Sequence, residues 1–194
     1  MNEINDVNVN ESEEVVENPA SKFSASCFDW LESVVQAVVL VVVIMTFFFR
    51  LVNVEGTSML NTLHNADKLL VMKFNYVPKD GDVVVITPVN KLDVPIVKRV
   101  IATEGQKLSL NFSDGSVKVD GKKLDEPYIR ERMWLRSNWD IPSVIPQGYC
   151  FVMGDNRNGS KDSRDSEVGL IPNEKVVGKA VTIVYPFDRI GAIK

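Results

Sequence analysis

The sequence predicts a mainly β protein: an antiparallel β-sheet domain preceded by a single N-terminal transmembrane helix. Three observations carry this reading. One apolar run of membrane-spanning length lies near the N-terminus, seven short runs rich in Val and Ile follow it, and turn-forming residues separate those runs. A chain of 194 residues is long enough for a leader segment and one domain with a sizeable core.

The first 30 residues hold seven acids against Lys22 alone, in a chain whose net charge is −4. Residues 1–27 are rich in Asn, Glu and Ser and offer too little apolar surface to offset the entropy of ordering, so they read as a disordered acidic tail. The composition changes at Phe28. Residues 34–49 are apolar except for Gln36 and Thr46, and Leu51 and Val52 extend the run past Arg50. Residues 28–52 therefore read as a transmembrane helix, since about 20 residues cross about 30 Å of hydrocarbon, and membrane lipid is an expected partner. A cleaved signal peptide calls for a basic start and a small-residue cleavage site, whereas this leader is acidic and the run exits through Phe47-Phe48-Phe49-Arg50. A buried core helix would show a polar face, and none is visible. The flanking charges do not orient the helix, with Lys22 on one side and Arg50, Lys68 and Lys73 on the other. An acidic chain without a basic patch predicts no nucleic-acid partner.

Residues 53–194 read as one all-β domain. Strands are expected at residues 68–74, 82–87, 94–101, 107–111, 116–119, 148–153 and 176–185. Turns are expected at Pro78-Lys79-Asp80-Gly81, Ser113-Asp114-Gly115, Asp120-Gly121 and Gly154-Asp155-Asn156. Residues 125–147, with Trp134, Trp139 and several Arg, read as a long excursion from the sheet. Cys27 and Cys150 fall on either side of the apolar run, so no disulfide is expected, and Cys150 reads as a buried structural thiol. There is no cluster of metal ligands, which predicts neither metal nor cofactor, and nothing in the sequence signals an oligomeric state.

Three stretches carry candidate chemistry. Ser58 lies in Gly56-Thr57-Ser58-Met59, just beyond the apolar run. A serine in a turn either caps the backbone or, given a base, acts as a nucleophile. Lys98 lies in the expected strand of residues 94–101, where alternation puts Val94, Ile96, Lys98 and Val100 on one face. Such a lysine either snorkels along an edge or is buried, and burial lowers its pKa toward that of a base near neutral pH. The single histidine, His64, sits in a polar turn and reads as solvated. The loop of residues 154–164 supplies hydroxyls and paired charges that either form a solvated turn or orient an amine.

Taken together, these stretches resemble a known family, the type I signal peptidases, in the form found in Gram-positive bacteria. Gly56-Thr57-Ser58-Met59 with Thr62-Leu63 is similar to the nucleophile box and Lys98-Arg99-Val100-Ile101 to the base box. Gly154-Asp155-Asn156-Arg157 with Ser160, Asp162, Ser163 and Arg164 is similar to a third box. Gly81-Asp82-Val83-Val84-Val85 and the stretch from Asp120 to Ile129 match two lesser ones, in order, over residues 30–185. The resemblance implies a membrane-bound serine endopeptidase that removes signal peptides from exported preproteins, with its β domain on the extracytoplasmic side and its tail in the cytoplasm. It makes Ser58 the nucleophile, Lys98 the general base and Ser160 the hydroxyl that positions the Lys98 amine. It makes Asp162 and Arg164 a structural ion pair, and sets Arg99 against an acid of the same loop such as Asp155. The Ser58 N–H becomes an oxyanion donor. Some members add a hydroxyl two residues earlier, where this chain has Gly56, and Asn61 stands where proline is usual. Val54, Met59, Leu63 and Val97 are expected to line shallow substrate pockets. Two other readings remain: a self-cleaving repressor-type protease, disfavoured by a membrane run where a DNA-binding motif belongs, and a non-catalytic relative that binds exported or pilus-like subunits.

Overall fold

The computed structural model describes residues 19–193. Val43 and Ile44 mark the boundary between an N-terminal helical unit and the unit that holds the strands. Helix α1 (Pro19–Phe48) contains the 19-residue stretch Trp30–Phe48, whose mean hydropathy is 2.3. At about 1.5 Å per residue this approaches the thickness of a hydrocarbon core. Valine is a modest helix former in water, but in lipid a helix satisfies every backbone group within one segment. The expected disordered tail changes at its end, because residues 19–27 are already helical; residues 1–18 lie outside the described residues.

The helix end expected at residue 52 is corrected. Strand β1 (Phe49–Asn53) takes the last residues of that range and pairs antiparallel with β2 (Lys68–Met72), from Phe49 opposite Met72 to Asn53 opposite Lys68. A helix C-terminus leaves carbonyls without partners, and Lys73 takes two of them. Its N–H donates to the Phe48 carbonyl at 3.0 Å and its Nζ to the Thr46 carbonyl at 2.7 Å. Its charge also suits the negative end of the helix dipole.

The chain continues through β3 (Val83–Ile86), β4 (Ile96–Ala102), β5 (Leu108–Asn111), β6 (Ser116–Val119) and β7 (Lys122–Lys123). It ends with β8 (Tyr149–Met153), β9 (Ile171–Pro172), β10 (Val176–Tyr185) and β11 (Gly191–Ala192). All seven expected strand regions are present. In the main sheet the order is β1, β2, β10, β3, β4, β8, β9, with β11 added to β10, and each pairing is antiparallel. Strands β5, β6 and β7 form a second, smaller sheet. Asp120 and Gly121, at φ of 50° and 80°, supply the two left-handed residues that the tight β6–β7 turn requires.

Alternation along β4 decides which core each residue joins. Ile96 and Val100 pack with Val84, Ile86 and Val152, whereas Val97 packs with Val54, Met59, Val83 and Val85. The excursion over residues 125–147 is irregular but anchored. Met133 and Ile145 are buried against Phe151 and Met153, and Trp139 Nε1 donates to the Ser163 carbonyl at 3.0 Å. Cys150 is buried, and burial pushes its thiol up to about 12, so it is inert.

Candidate active site

Ser58 sits in a tight turn directly after β1. The turn is closed by Val54 N–H donating to the Asp67 carbonyl at 2.8 Å and by Leu63 N–H donating to the Met59 carbonyl at 2.8 Å. Asp67 is buried, accepts from His64 N–H at 2.8 Å and receives two hydrogen bonds from Arg189. His64 itself is exposed, as its polar surroundings lead one to expect. Met59 and Leu63 point into the core, so the turn between them holds Ser58 on a rigid base.

Strand β4 brings Lys98 to this turn. Its Nζ donates to Ser58 Oγ at 2.7 Å and to the Val97 carbonyl at 2.9 Å. The residue is 3% exposed. Burial pushes its amine down to about 8 from the ordinary 10.5, while the charges of Asp162 and Asp155 work in the opposite direction. Those two carboxylates are themselves paired with guanidinium groups, which limits how far they can restore the proton. Arg99 makes a two-pronged contact with Asp155, Nε to Oδ1 and Nη2 to Oδ2, both at 2.8 Å. Arg164 does the same to Asp162, with the same distances.

Both pairs are buried, and each is held by more than its partner. Arg99 Nη1 also donates to the Gly81 carbonyl at 2.7 Å, and its guanidinium carbon lies 3.9 Å from the centroid of the Tyr128 ring. Asp155 further accepts from the Thr62 hydroxyl, and Asp162 from Gly154 N–H at 2.9 Å. The Thr62 contact fastens the nucleophile turn to the loop of residues 154–164. Gly154 is a close-approach glycine, since a Cβ there would lie 2.3 Å from Ser160 Oγ and 2.4 Å from the Ser58 carbonyl oxygen.

Ser160 stands beside the site, but its Oγ is buried without a hydrogen-bond partner. The hydrogen bond expected between Ser160 and the Lys98 amine is therefore not made in this structure. Gly56, at φ +90°, has open space where a side chain would project, and its N–H is committed to Asn65 Oδ1 at 2.9 Å.

A cleft of about 350 Å3 opens onto Ser58 and Lys98. Residues 52–56 form one wall and residues 94–98 the other, with Met59 and Val85 between them. Of the expected pocket residues, Val54, Met59 and Val97 line it. Leu63 does not: the turn's hydrogen bond to Met59 directs it into the core, where it is fully buried. Sequence reasoning placed Val85 and Asn156 in stretches that resemble the family but gave neither a role at the site. Alternation within residues 82–87 was a usable signal for Val85, whereas nothing local to Asn156 distinguishes it from any turn asparagine.

The sequence profile of the family described as "Signal peptidase, peptidase S26" matches residues 27–185, a span that contains Ser58, Lys98 and the loop of residues 154–164. The chain belongs to this signal peptidase family. Signal peptidase I of Bacillus licheniformis is 37% identical to it, over 91% of this chain and 98% of that protein. Signal peptidase I T of Bacillus subtilis is 35% identical, over 92% of this chain and 95% of that protein. A crystal structure of a signal peptidase I from Enterococcus faecalis has a TM-score of 0.46 at 22% identity, covering 55% of this chain and 98% of that one. As a member of the signal peptidase family the protein is a serine endopeptidase, and its N-terminal apolar helix is consistent with membrane anchoring.

Proposed function

We propose that this signal peptidase removes N-terminal signal peptides from exported preproteins with Ser58 as nucleophile and Lys98 as general base. The observation that carries this is a 2.7 Å contact between the Ser58 hydroxyl and a buried amine whose proton is loosely held. Neutral Lys98 takes the Ser58 proton as Oγ attacks the scissile carbonyl. The resulting oxyanion is received by the Ser58 N–H, Gly56 having no side chain to add. Collapse expels the new N-terminus of the mature protein, which takes its proton from the Lys98 ammonium and leaves an acyl-enzyme. Lys98, neutral again, then activates the water that hydrolyses the ester.

The substrate enters as an extended strand. Among the described residues, strand β1 pairs with β2 along one side only, and Ile96 and Val97 pair with β3 but not with β8. The two walls of the cleft therefore each offer a free backbone edge, and a peptide between them makes main-chain hydrogen bonds while alternate side chains meet Val54, Met59, Val85 and Val97. The family resemblance implies small residues at the first and third positions before the scissile bond. With α1 as the anchor, the β domain lies outside the cell and the tail inside.

Purified full-length protein in detergent, assayed on a signal-peptide-bearing precursor, tests the chemistry. Ser58→Ala and Lys98→Arg should each lose at least about 1,000-fold in kcat, the latter because a guanidinium does not release its proton. Substantial cleavage by either variant would overturn the assignment. Protease added outside intact cells should digest the domain beyond residue 53 and spare the tail, and the reverse pattern would overturn the orientation.

A further inference from the structure

Asn156 holds the backbone on both sides of Ser58. Its N–H donates to the Ser58 carbonyl at 3.0 Å, and its side-chain Nδ2 donates to the Thr57 carbonyl at 3.1 Å. Two consecutive peptide planes are thus fixed around one Cα, the one that carries the attacking hydroxyl. The Thr57–Ser58 peptide is trans, so its C=O and N–H point in opposite directions across a rigid plane. Drawing the Thr57 carbonyl toward Asn156 turns the Ser58 N–H the other way. That N–H makes no hydrogen bond among the described residues, and Ser58 lines the cleft.

The carboxamide that does this is itself confined. Asn156 is 6% exposed, and Gly159 N–H donates to its backbone carbonyl at 3.0 Å, which closes the turn beneath the side chain. A Cβ at Gly159 would lie 2.5 Å from Asn156 Nδ2 and 2.9 Å from its Cγ, so the side chain occupies the space that a residue other than glycine would fill. The amide is wedged in place before any substrate arrives, so the Ser58 N–H that it orients can act without reorganisation.

We propose that Asn156 is a positioning residue, which orients the Thr57–Ser58 peptide so that its N–H is presented to the oxyanion of the tetrahedral intermediate. This rests on the reading of Ser58 as nucleophile, and it concerns the transition state rather than the fold. A peptide aldehyde ending in alanine and the corresponding alcohol separate the two. With the aldehyde, a bond forms between Ser58 Oγ and the aldehyde carbon, the C=O π bond breaks, and the Ser58 proton passes by way of Lys98 to the former carbonyl oxygen. The hemiacetal oxygen then stands where the oxyanion develops. The alcohol binds in the same cleft and forms no adduct.

In the full-length protein in detergent, Asn156→Ala should weaken aldehyde binding about 10- to 100-fold, somewhat less than the loss of a donor itself, and alcohol binding less than twofold. Its kcat should fall in parallel with KM nearly unchanged, and the acid limb of the pH profile should stay in place because Lys98 is untouched. Equal weakening of aldehyde and alcohol, or a displaced acid limb with an undiminished plateau, would make Asn156 structural and overturn the proposal. If Asn156→Ala does not fold, Asn156→Asp keeps the shape and replaces the donor with an acceptor. The aldehyde preference should shrink there too, and its persistence would overturn the proposal. Ser58→Ala isolates the underlying reading: it should bind aldehyde no better than alcohol, and a retained preference would overturn the nucleophile assignment. Loss of preference in Ser58→Ala with full preference in Asn156→Ala would overturn the positioning role alone.

Discussion

Lys98 answers two opposing demands. The burial that brings its amine down to about 8 also makes the folded state a poor place for a proton. The unfolded chain holds that proton up to about 10.5, so the folded state is penalised fully below about pH 8 and progressively less as the pH rises toward 10.5. The penalty at neutral pH is on the order of 3 kcal/mol. Lys98→Met, which removes the charge at similar length, should therefore raise Tm at pH 7 while abolishing cleavage, as thermal melts and the precursor assay would read. An unchanged or lower Tm would contradict this account. On the proposed mechanism only the neutral amine accepts the Ser58 proton, so kcat/KM should rise with pH to a plateau above about 8. A profile flat between pH 6 and 9 would remove Lys98 as the titrating base. Much of this was legible in the sequence, because alternation alone put Lys98 on a face with Ile96 and Val100. The side-chain paths were not. Whether Leu63 faces the cleft or the core depends on one turn's hydrogen bonds, and the sequence pattern does not encode them.

At the scale of elements, the loop of residues 154–164 is the part that makes a site out of a turn and a strand. It pairs with β4 through Asp155 and Arg99, with the nucleophile turn through Thr62 and Asn156, and with the excursion through Asn158, whose Oδ1 accepts from Trp134 N–H at 3.0 Å. Within it, Ser160 Oγ lacks a partner, so Ser160→Ala removes no native hydrogen bond and should not lower Tm. Its proposed contribution comes later. Once Lys98 has taken the Ser58 proton it has three N–H donors, and Ser58 Oγ and the Val97 carbonyl account for two. If Ser160 accepts the third, Ser160→Ala should lower kcat with KM nearly constant, and an unaltered kcat would remove it from the mechanism. The loop was conspicuous in the sequence through its charges and glycines, but its burial was not, since the same composition suits a solvated turn. Strand β1 was hidden for a different reason. Phe49, Leu51 and Val52 suit a membrane helix and a strand equally well, and only the partner strand β2 and the capping Lys73 decide between them.

For the whole molecule, the main sheet begins at β1 and returns, across the cleft, to the start of β4, which pairs with β3 but not with β8. The antiparallel order of the larger strands follows from short runs and tight turns, and to that extent the fold class was readable. What the sequence did not reveal is that strands separated by some 40 residues would face each other across a gap, because curvature accumulates from twist and bulges rather than from any single residue. The gap is a cleft of about 350 Å3, and the proposed entry of substrate as a strand gives the resting enzyme a thermodynamic character of its own. On that proposal it behaves as a structure with one piece missing until a chain is supplied. Whatever fills the gap adds to the stability of the whole domain by mass action, about 2.7 kcal/mol at a hundredfold excess over its Kd. An alanine-ended peptide alcohol, which is not cleaved, should therefore raise the melting temperature of the Ser58→Ala protein with increasing concentration. A proline placed where the peptide's main chain would donate should cancel the rise. On this view each precursor serves briefly as part of the fold, and its removal returns the enzyme to a looser and more easily melted state.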